Sequence, residues 1–275
     1  MEKVVSKRKI LITGNTGYIG PVLAKYLRKE RDDLFLIGFD NGYFSHCLTN
    51  SLYNPIFDYD KQYWGDIRKF PSEILEGVDS IIHLAAISND PMGKSYEDVT
   101  NEINFESSIQ FASIAKASGV ENFVFASSCS IYGFAEDGAK DEKSSLNPLT
   151  QYARSKVAME EALREIAEDS FIVTALRFAT ACGMSDRLRL DLVLNDFVAG
   201  AIVENKIDIL SDGSPWRPLI NVKDMSRAMS WALNREHGED KFLAINTGSE
   251  SWNYQVIELA ERVASLIPST EIKVN

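Results

Sequence analysis

The chain has 275 residues, 45% hydrophobic and 25% charged, which is the composition of a globular protein with a sizeable core. Its formal net charge of −11 argues against sequence-independent binding to nucleic acid or to an anionic membrane surface. The three cysteines and three histidines are too scattered for a disulfide framework or a metal site. The sequence contains no signal-peptide core and no apolar stretch of membrane-spanning length, so we expect a cytoplasmic protein.

The first predicted elements are a strand, a glycine-rich turn and a helix. Apolar residues predict a strand over 9–12, and a helix is predicted over 21–30 because proline at Pro21 is tolerated in a first turn. Between them lies TGNTGYIG, residues 13–20. In this context glycines let the backbone approach a pyrophosphate that sits on the helix N-terminus. We therefore predict a dinucleotide site at this turn.

The second predicted strand, residues 34–39, leads into Asp40, twenty residues after Gly20. A carboxylate at this place can accept both ribose hydroxyls of an adenosine, and it repels a 2′-phosphate. No arginine follows Asp40 directly. The expected cofactor is therefore NAD and not NADP.

Apolar strands then alternate with helical patterns. We predict strands at 80–84, 122–126 and 171–176, and helices at 104–118, closed by Gly119, and at 149–168. Continuous apolar strands between helices indicate a parallel sheet covered on both faces. The expected fold is therefore α/β, with a doubly wound sheet of the Rossmann type.

The pattern changes after Arg177. We predict helices at about 190–204, 222–234 and 253–267, with a short strand at 206–210. We interpret residues 1–176 as an NAD-binding domain, joined by a returning segment near 218–247. Residues 177–275 then form a smaller α/β substrate lobe at the carboxyl ends of the strands, where ligands of open α/β sheets bind.

Two further motifs point to catalysis. Tyr152 and Lys156 lie four residues apart on a predicted helix, hence on one face, and a nearby ammonium lowers the pKa of a phenol towards that of a useful base. The spacing alone also fits a surface pair of tyrosine and lysine. Ser128, which follows a strand 24 residues before Tyr152, could bond the same substrate oxygen. Because both motifs follow a dinucleotide turn, we expect one catalytic site.

Together these motifs resemble the extended short-chain dehydrogenase/reductases, and within them the nucleotide-sugar epimerases and dehydratases. The resemblance runs from about residue 9 to about residue 267. The matching motifs are TGxxGxxG at 13–20, Asp40, GDIR at 65–68, HLAA at 83–86, SSxxxYG at 127–133 and YxxxK at 152–156.

The resemblance implies how NAD is held and where the chemistry occurs. It implies that Tyr152 is the base, Ser128 its hydrogen-bonding partner and Lys156 the residue that holds the nicotinamide ribose, with Asn104 supporting the site. The implied cofactor contacts are Gly14, Gly17 and Gly20 at the pyrophosphate, with Thr16, Tyr18 and Ile19 of the same turn, Asp40 and Asn41 at the adenosine ribose, Asp66 and Ile67 beside the adenine, and Leu84, Ala85 and Ala86 towards the nicotinamide.

The same resemblance implies a substrate site and a partner. Arg217 matches an arginine that binds the substrate diphosphate, a role that suits a planar guanidinium, although a surface salt bridge is the alternative. Implied sugar contacts are Ser88, Ser128, Ser130, Asn195 and Thr180, the last standing where the family often has asparagine. The helices that begin near residues 101 and 149 imply a homodimer.

Differences from the family's motifs reduce the number of reactions that fit the sequence. The loop Ser128-Cys129-Ser130 lacks the two carboxylates that 4,6-dehydratases use, and Ser130 stands where some epimerases have an acid–base cysteine. Cys129 is one place away from it. We do not find the family's arginine-rich closing segment, so either the chain is short or the nucleotide pocket is more open.

We therefore predict an NAD-dependent nucleotide-sugar epimerase that acts at C4 through a transient 4-keto sugar. A 4-dehydrogenase or 4-ketoreductase on the same substrates is the nearest alternative. A non-catalytic sensor of NAD or nucleotide sugar stays open because a fold does not establish a function. A reductase of small ketones is also open, although it would usually favour NADP.

Overall fold

The computed structural model describes residues 7–49, 52–88, 95–134, 138–236, 238 and 240–274. Its centre is a seven-stranded parallel sheet with the strand order β3-β2-β1-β4-β5-β6-β10. Its strands are β1 (Arg8–Thr13), β2 (Leu34–Asp40), β3 (Lys61–Trp64), β4 (Ser80–His83), β5 (Asn122–Ser128), β6 (Ile172–Phe178) and β10 (Phe242–Thr247). The order reverses between β1 and β4, which confirms the expected doubly wound fold and places the ligand crevice at their carboxyl ends.

Helices cover both faces of this sheet, which explains why its inner strands are mainly apolar. On one face Leu23 and Leu27 pack with Met225 and Met229; on the other Phe111 packs with residues from the facing helices and strands. The helices are α1 (Gly20–Glu30), α2 (Glu97–Asn101), α3 (Ser107–Ala117), α4 (Gln151–Ile166), α5 (Val193–Glu204), α6 (Val222–Leu233) and α7 (Val256–Leu266). Fully burying each large apolar side chain stabilises the fold by about 1.5–3 kcal/mol.

The helix expected over 104–118 begins earlier and is interrupted. It starts at Glu97 as α2, passes through a π-helical turn over Glu102–Glu106, and continues as α3. Acidic and amide side chains dilute the apolar periodicity of this first part, so the pattern did not reveal it. The end is as expected, because α3 stops at Ala117 and Gly119 has a φ of 84°.

Two smaller sheets lie beyond β6. One has the order β11-β9-β7 and the other pairs β12 with β8. Their strands are β7 (Thr180–Cys182), β8 (Lys206–Ile209), β9 (Trp216–Asn221), β11 (Asn253–Gln255) and β12 (Glu271–Val274). One residue, Ala179, separates β6 from β7, so the chain passes directly from the carboxyl edge of the large sheet into the region of the two smaller sheets, which we call the second lobe. Among the described residues, no helix has the length and apolar character to cross a membrane.

Candidate active site

The glycine turn between β1 and α1 is packed too closely for other residues. Gly14 has a φ of 68°, and a Cβ atom there would lie 2.7 Å from the backbone nitrogen of Ala85. A Cβ atom on Gly20 would lie 2.0 Å from the carbonyl oxygen of Asn15. The glycines therefore bring the turn against the segment after β4 and leave no side chain in the way of a ligand at the start of α1.

Asp40 stands at the rim of this turn, at the end of β2. Its Oδ2 accepts a hydrogen bond from the backbone N–H of Thr16 at 3.0 Å, and its Oδ1 accepts one from Gly42 at 2.8 Å. Each oxygen keeps a lone pair for a ribose hydroxyl. The Thr16 hydroxyl is buried without a hydrogen-bond partner. Together with the backbone of the turn, these groups fit the ribose and pyrophosphate of NAD.

The predicted adenine contacts lie on a short helical turn beyond β3. Asp66 caps this turn and pairs with Arg68 at 2.6 Å, and that hydrogen bond lowers the pKa of Asp66. Arg68 also reaches Glu102 of the π-helical turn at 3.2 Å. The Ile67 side chain is buried, whereas Asn41 after β2 is exposed. The ion pairs thus fix this turn to the helix that carries Asn104.

A buried chain of hydrogen bonds fixes the end of β4. The N–H groups of Leu84 and Ala85 approach Thr13 Oγ1 at 3.2 and 3.3 Å, and Thr13 Oγ1 lies 2.8 Å from His83 Nδ1. On the other side, His83 Nε2 lies 2.9 Å from Ser108 Oγ, which donates to the carbonyl of Ile103. Since the Ser108 proton is used there, His83 donates from Nε2 and accepts at Nδ1. Burial lowers the pKa of His83 to about 3, so the ring is neutral.

Asn104 holds the next part of the same segment. The π-helical turn directs its side chain inwards, where it is 2% exposed. Its Oδ1 accepts from the N–H of Ile87 at 2.8 Å, and its Nδ2 donates to the Ile87 carbonyl at 2.9 Å. A longer contact of 3.4 Å joins Nδ2 to Ser155 Oγ on α4. Asn104 therefore ties the segment after Ala86 to the helix that carries Tyr152 and Lys156.

Lys156 is buried beneath Tyr152. Its Nζ donates to the carbonyl of Ala126 at 2.7 Å and lies 4.6 Å from the ring centroid of Phe125. It also lies 5.4 Å from the ring centroid of Tyr152, one turn earlier on α4. Burial lowers the pKa of Lys156 to about 8, so the amine is mainly protonated near pH 7. The arrangement places a positive charge beside the phenol, as the spacing predicted.

The serine loop starts two residues after Ala126. Ser128 ends β5 and accepts a hydrogen bond from the N–H of Ser130 at 3.2 Å, which caps a helical turn over Cys129–Tyr132. The Ser130 hydroxyl is buried and has no hydrogen-bond partner. Because Lys156 bonds Ala126, this loop and α4 meet at the carboxyl edge of the sheet. The buried, unpartnered hydroxyls of Thr16 and Ser130 both lie on residues predicted to bind a ligand.

A buried ion pair between α4 and β6 was not predicted. Arg177 Nη2 lies 2.7 Å from Glu160 Oε2, and both side chains are less than a tenth exposed. Two signals could have revealed it: Glu160 lies one turn after Lys156 on the same helix face, and Arg177 is a charge within an apolar strand. Their partnership still depends on which strand the helix covers.

The predicted substrate residues have different surroundings. Arg217, on β9, is exposed and donates to the carbonyl of its neighbour Trp216 at 2.9 Å. Asn195 is buried, and its amide accepts from the N–H of Gly183 and donates to the carbonyl of Arg189. Thr180 is half-buried on β7, and the exposed Ser88 accepts from the Arg189 guanidinium at 3.1 Å. Contact of these residues with a substrate stays a prediction.

Residues 183–187, which we call the strap, cross from the second lobe onto the glycine turn. The Tyr18 hydroxyl donates to the carbonyl of Gly183, and Ser185 Oγ donates to the carbonyl of Tyr18, each at 2.6 Å. Asp186 pairs with Lys25 of α1 at 2.7 Å, and its carbonyl accepts from the N–H of Thr49 at 2.8 Å. The turn, α1 and the loop after β2 are therefore all fastened to one segment of the second lobe.

The chain is similar to known enzymes. The model of the NAD dependent epimerase/dehydratase family matches residues 10–248. The chain is 26% identical to the UDP-glucose 4-epimerase of Lactobacillus helveticus, over 95% of this chain and 84% of that protein. It is 28% identical to the uncharacterized UDP-glucose epimerase YtcB of Bacillus subtilis, over 93% of this chain and 82% of that protein.

Solved structures share the fold. The UDP-glucose 4-epimerase of Thermus thermophilus, in complex with NAD, superposes with a TM-score of 0.80 at 21% identity, over 97% of this chain and 85% of that one. TunA, an NAD-dependent NDP-hexosamine 5,6-dehydratase, superposes with a TM-score of 0.84 at 22% identity, over 98% and 84%. At these identities the likeness establishes the fold and leaves the reaction open.

Proposed function

The chain belongs to the NAD-dependent epimerase/dehydratase family, and from that premise we propose that it is a nucleotide-sugar epimerase acting at C4 of a hexose through a transient 4-keto sugar. The observation that carries the proposal is the buried Lys156 beside Tyr152, where α4 meets the serine loop. Relatives over nearly the whole chain are UDP-glucose 4-epimerases, which supports this choice of reaction.

Each residue of the proposed site has its own role. Tyr152 takes the proton of the sugar 4-hydroxyl and returns it after the keto sugar has turned in the site. The Lys156 ammonium stabilises the phenolate, and the Ser128 and Ser130 hydroxyls hold the reacting oxygen. NAD, when bound at the glycine turn and Asp40, supplies reversible hydride transfer. In the second lobe, Arg217 is proposed to bind the substrate diphosphate.

The serine loop favours epimerisation over dehydration. Removing water from the sugar needs an additional acid and base beside the tyrosine. The loop residues 128–130 are serine, cysteine and serine, and none carries a carboxylate. The loop is suited to bonding a single oxygen, which is the requirement of an oxidation followed by a reduction at the same carbon.

The strap favours epimerisation over net oxidation. A dehydrogenase must exchange its cofactor after every turnover, whereas an epimerase restores it in place. The strap joins the second lobe to the turn that would hold the pyrophosphate, through Tyr18 and Ser185. Such cross-connections slow the release of a ligand held beneath them. The 4-dehydrogenase and the non-catalytic sensor remain the competing functions, and Ser128, Tyr152 and Lys156 together argue against the sensor.

We also propose the two-lobe division, residues 1–176 with 218–247 and residues 177–275, and a homodimer through the helices near residues 101 and 149. Sedimentation of the purified protein tests the dimer. An assembly in which Tyr96 and Leu149, both largely exposed in the monomer, become protected from solvent supports that interface.

Proton NMR with a panel of nucleotide hexoses tests the reaction. The purified protein is first supplied with substrate alone and then with stoichiometric NAD. Catalytic formation of a C4 epimer without added NAD is the expected result. Consumption of one NAD per keto sugar formed would instead identify a dehydrogenase, and NAD binding without any conversion would favour the sensor.

A further inference from the structure

We propose that Glu160 is a positioning residue of the active site. Paired with Arg177, it holds both ends of the serine loop, and from the next turn of α4 it places a negative charge beside Lys156. The inference rests on the proposed function, since it assigns a task to a residue behind Tyr152 and Lys156.

Glu160 is 3% exposed, and both oxygens of its carboxylate accept hydrogen bonds from within the protein. Its Oε2 accepts from Arg177 Nη2 at 2.7 Å and from Nε at 3.1 Å. Its Oε1 accepts from Arg177 Nε at 3.1 Å and from Ser127 Oγ at 2.5 Å. Desolvating two charges is costly, and such a pair often stabilises a protein no more than apolar residues would. The role of the ion pair is therefore inferred from the groups that it holds in place.

Those groups are the two ends of the serine loop. Ser127, bonded to Glu160, directly precedes Ser128. At the other end, the Tyr132 hydroxyl accepts from Arg177 Nη1 at 2.9 Å and donates to Asn246 Oδ1 at 2.6 Å. Ser128 and Ser130 lie between these two anchors. A single ion pair thus sets the position of both loop hydroxyls relative to α4.

The same carboxylate acts on Lys156. Residues four apart on a helix are neighbours, so Glu160 faces Lys156 as Tyr152 does from the other side. Among the residues that the structure describes, no other negative charge acts on Lys156: His83 of β4 is neutral, and β5 contributes the Ala126 carbonyl. The charge of Glu160 raises the pKa of Lys156 against the larger effect of burial, which lowers it.

Because the Glu160 charge raises the pKa of Lys156, it also changes how activity depends on pH. Lys156 supports catalysis while it is protonated, so activity falls as the pH rises through its pKa. Without the Glu160 charge this pKa is lower, and the alkaline limb of the activity profile lies at lower pH. A residue that served only the fold would reduce activity without moving the limb.

The decisive variant is Glu160→Gln, which keeps the size and one acceptor oxygen but removes the charge. We expect kcat to fall about 10- to 100-fold, as for a misplaced catalytic group, KM to change little, and the alkaline limb to move down by about one pH unit. Ser127→Ala releases one loop anchor but keeps the charge, so kcat falls while the limb stays in place. Glu161→Gln, on the exposed side of the same helix, is the matched control and should behave as wild type.

A second readout separates this inference from the proposed reaction. NMR titration of the Lys156 side chain in lysine-labelled protein needs no substrate, and its midpoint should be lower in Glu160→Gln. If the wild type converts no nucleotide sugar but the midpoint still moves, the proposed function fails and the role of Glu160 in setting the Lys156 charge stands. A midpoint that does not move overturns that role.

Leaving Arg177 buried and unpaired could prevent folding of the single variant. The double variant Glu160→Gln/Arg177→Gln leaves neither member of the ion pair charged and unpaired, and the same titration of Lys156 applies to it. An unshifted midpoint in a folded double variant also overturns the proposal.

Discussion

Lys156 and His83 are both buried at the carboxyl edge of the sheet, and burial serves each of them differently. The pKa of Lys156 is lowered to about 8, which still leaves a charge to stabilise a phenolate near pH 7. The pKa of His83 is lowered to about 3, which keeps the ring neutral and able to accept from Thr13. One buried group thus keeps a positive charge beside Tyr152, and the other keeps a neutral ring that accepts from Thr13.

Replacing Tyr152 by phenylalanine should remove the base and leave the cofactor site intact. We expect turnover to fall by about 10²–10⁴, the usual contribution of a positioned acid or base. NAD affinity, measured by calorimetry, should change less than threefold, because the glycine turn and Asp40 are untouched. Turnover at the wild-type rate in this variant would remove Tyr152 from the mechanism.

The neutral His83 predicts a specific sensitivity to acid. The unfolded chain takes up a proton near pH 6.5, whereas the folded ring resists protonation down to about pH 3. The free energy of unfolding therefore falls with decreasing pH, by up to about 1.4 kcal/mol per unit from this residue alone.

Denaturant unfolding at pH 6.0 and 4.5 checks this expectation. His83→Asn should be less stable than wild type at pH 7 but should lose less stability between these two values. Equal slopes for the two proteins would show that His83 does not contribute to the acid response.

At the scale of elements, the glycine turn offers a test of close approach. Gly14 and Gly119 both have positive φ, but a Cβ atom on Gly119 meets nothing within 4 Å, whereas on Gly14 it overlaps the backbone of Ala85. Gly119→Ala should cost about 1–2 kcal/mol for its backbone conformation alone. Gly14→Ala should cost about 1–3 kcal/mol more and should weaken NAD binding. Equal losses of stability, with NAD affinity unchanged, would contradict the assignment of the turn.

The elements that could be predicted are those with a local signal. The apolar runs of β1, β2, β4, β5 and β6 and the glycines of the first turn were sufficient for the fold and the cofactor. The exposed strand β3, with the sequence KQYW, carries no such run, and the π-helical turn has no pattern of its own. For these elements tertiary pairing outweighs local preference.

In the candidate site too, some features could be predicted from local sequence and others depend on tertiary structure. Tyr152 and Lys156 could be predicted because their spacing on one helix is a local property. The partnership of Glu160 with Arg177 could not, because it depends on which strand lies beneath α4. Asn195, predicted to contact the sugar, is hydrogen bonded to the backbone at Gly183, the first residue of the strap, and at Arg189, just beyond its end. That use of its amide depends on how the chain folds back between β7 and α5.

At the scale of the whole molecule, the strap predicts how long NAD stays bound. Lys25→Ala together with Ser185→Ala removes one exposed ion pair and one buried hydrogen bond between the lobes. An exposed ion pair contributes about 0–1 kcal/mol, and a hydrogen bond contributes about 1 kcal/mol. Without both contacts, NAD should dissociate roughly tenfold faster. Displacement of bound NAD by excess labelled NAD measures this rate.

The control for the strap is Lys206→Ala, which breaks an ion pair of 2.5 Å with Asp208 inside the second lobe. It should leave the dissociation rate of NAD unchanged. A double variant that releases NAD no faster than this control would show that the strap does not retain the cofactor.

The return of β10 to the large sheet has a consequence for how the protein is made. Residues 242–247 pair with β6, although the whole stretch from 179 to 241 is synthesised between them. During synthesis the edge of β6 therefore has no neighbour until residue 247 has left the ribosome, and non-local pairing of this kind is slow to form. Asn246, which accepts the hydrogen bond of the Tyr132 hydroxyl, belongs to β10, the last strand of the large sheet to be synthesised. The loop that bears Ser128 and Ser130 is consequently among the last parts of the molecule to mature, so a nascent chain acquires its cofactor turn long before it can acquire activity.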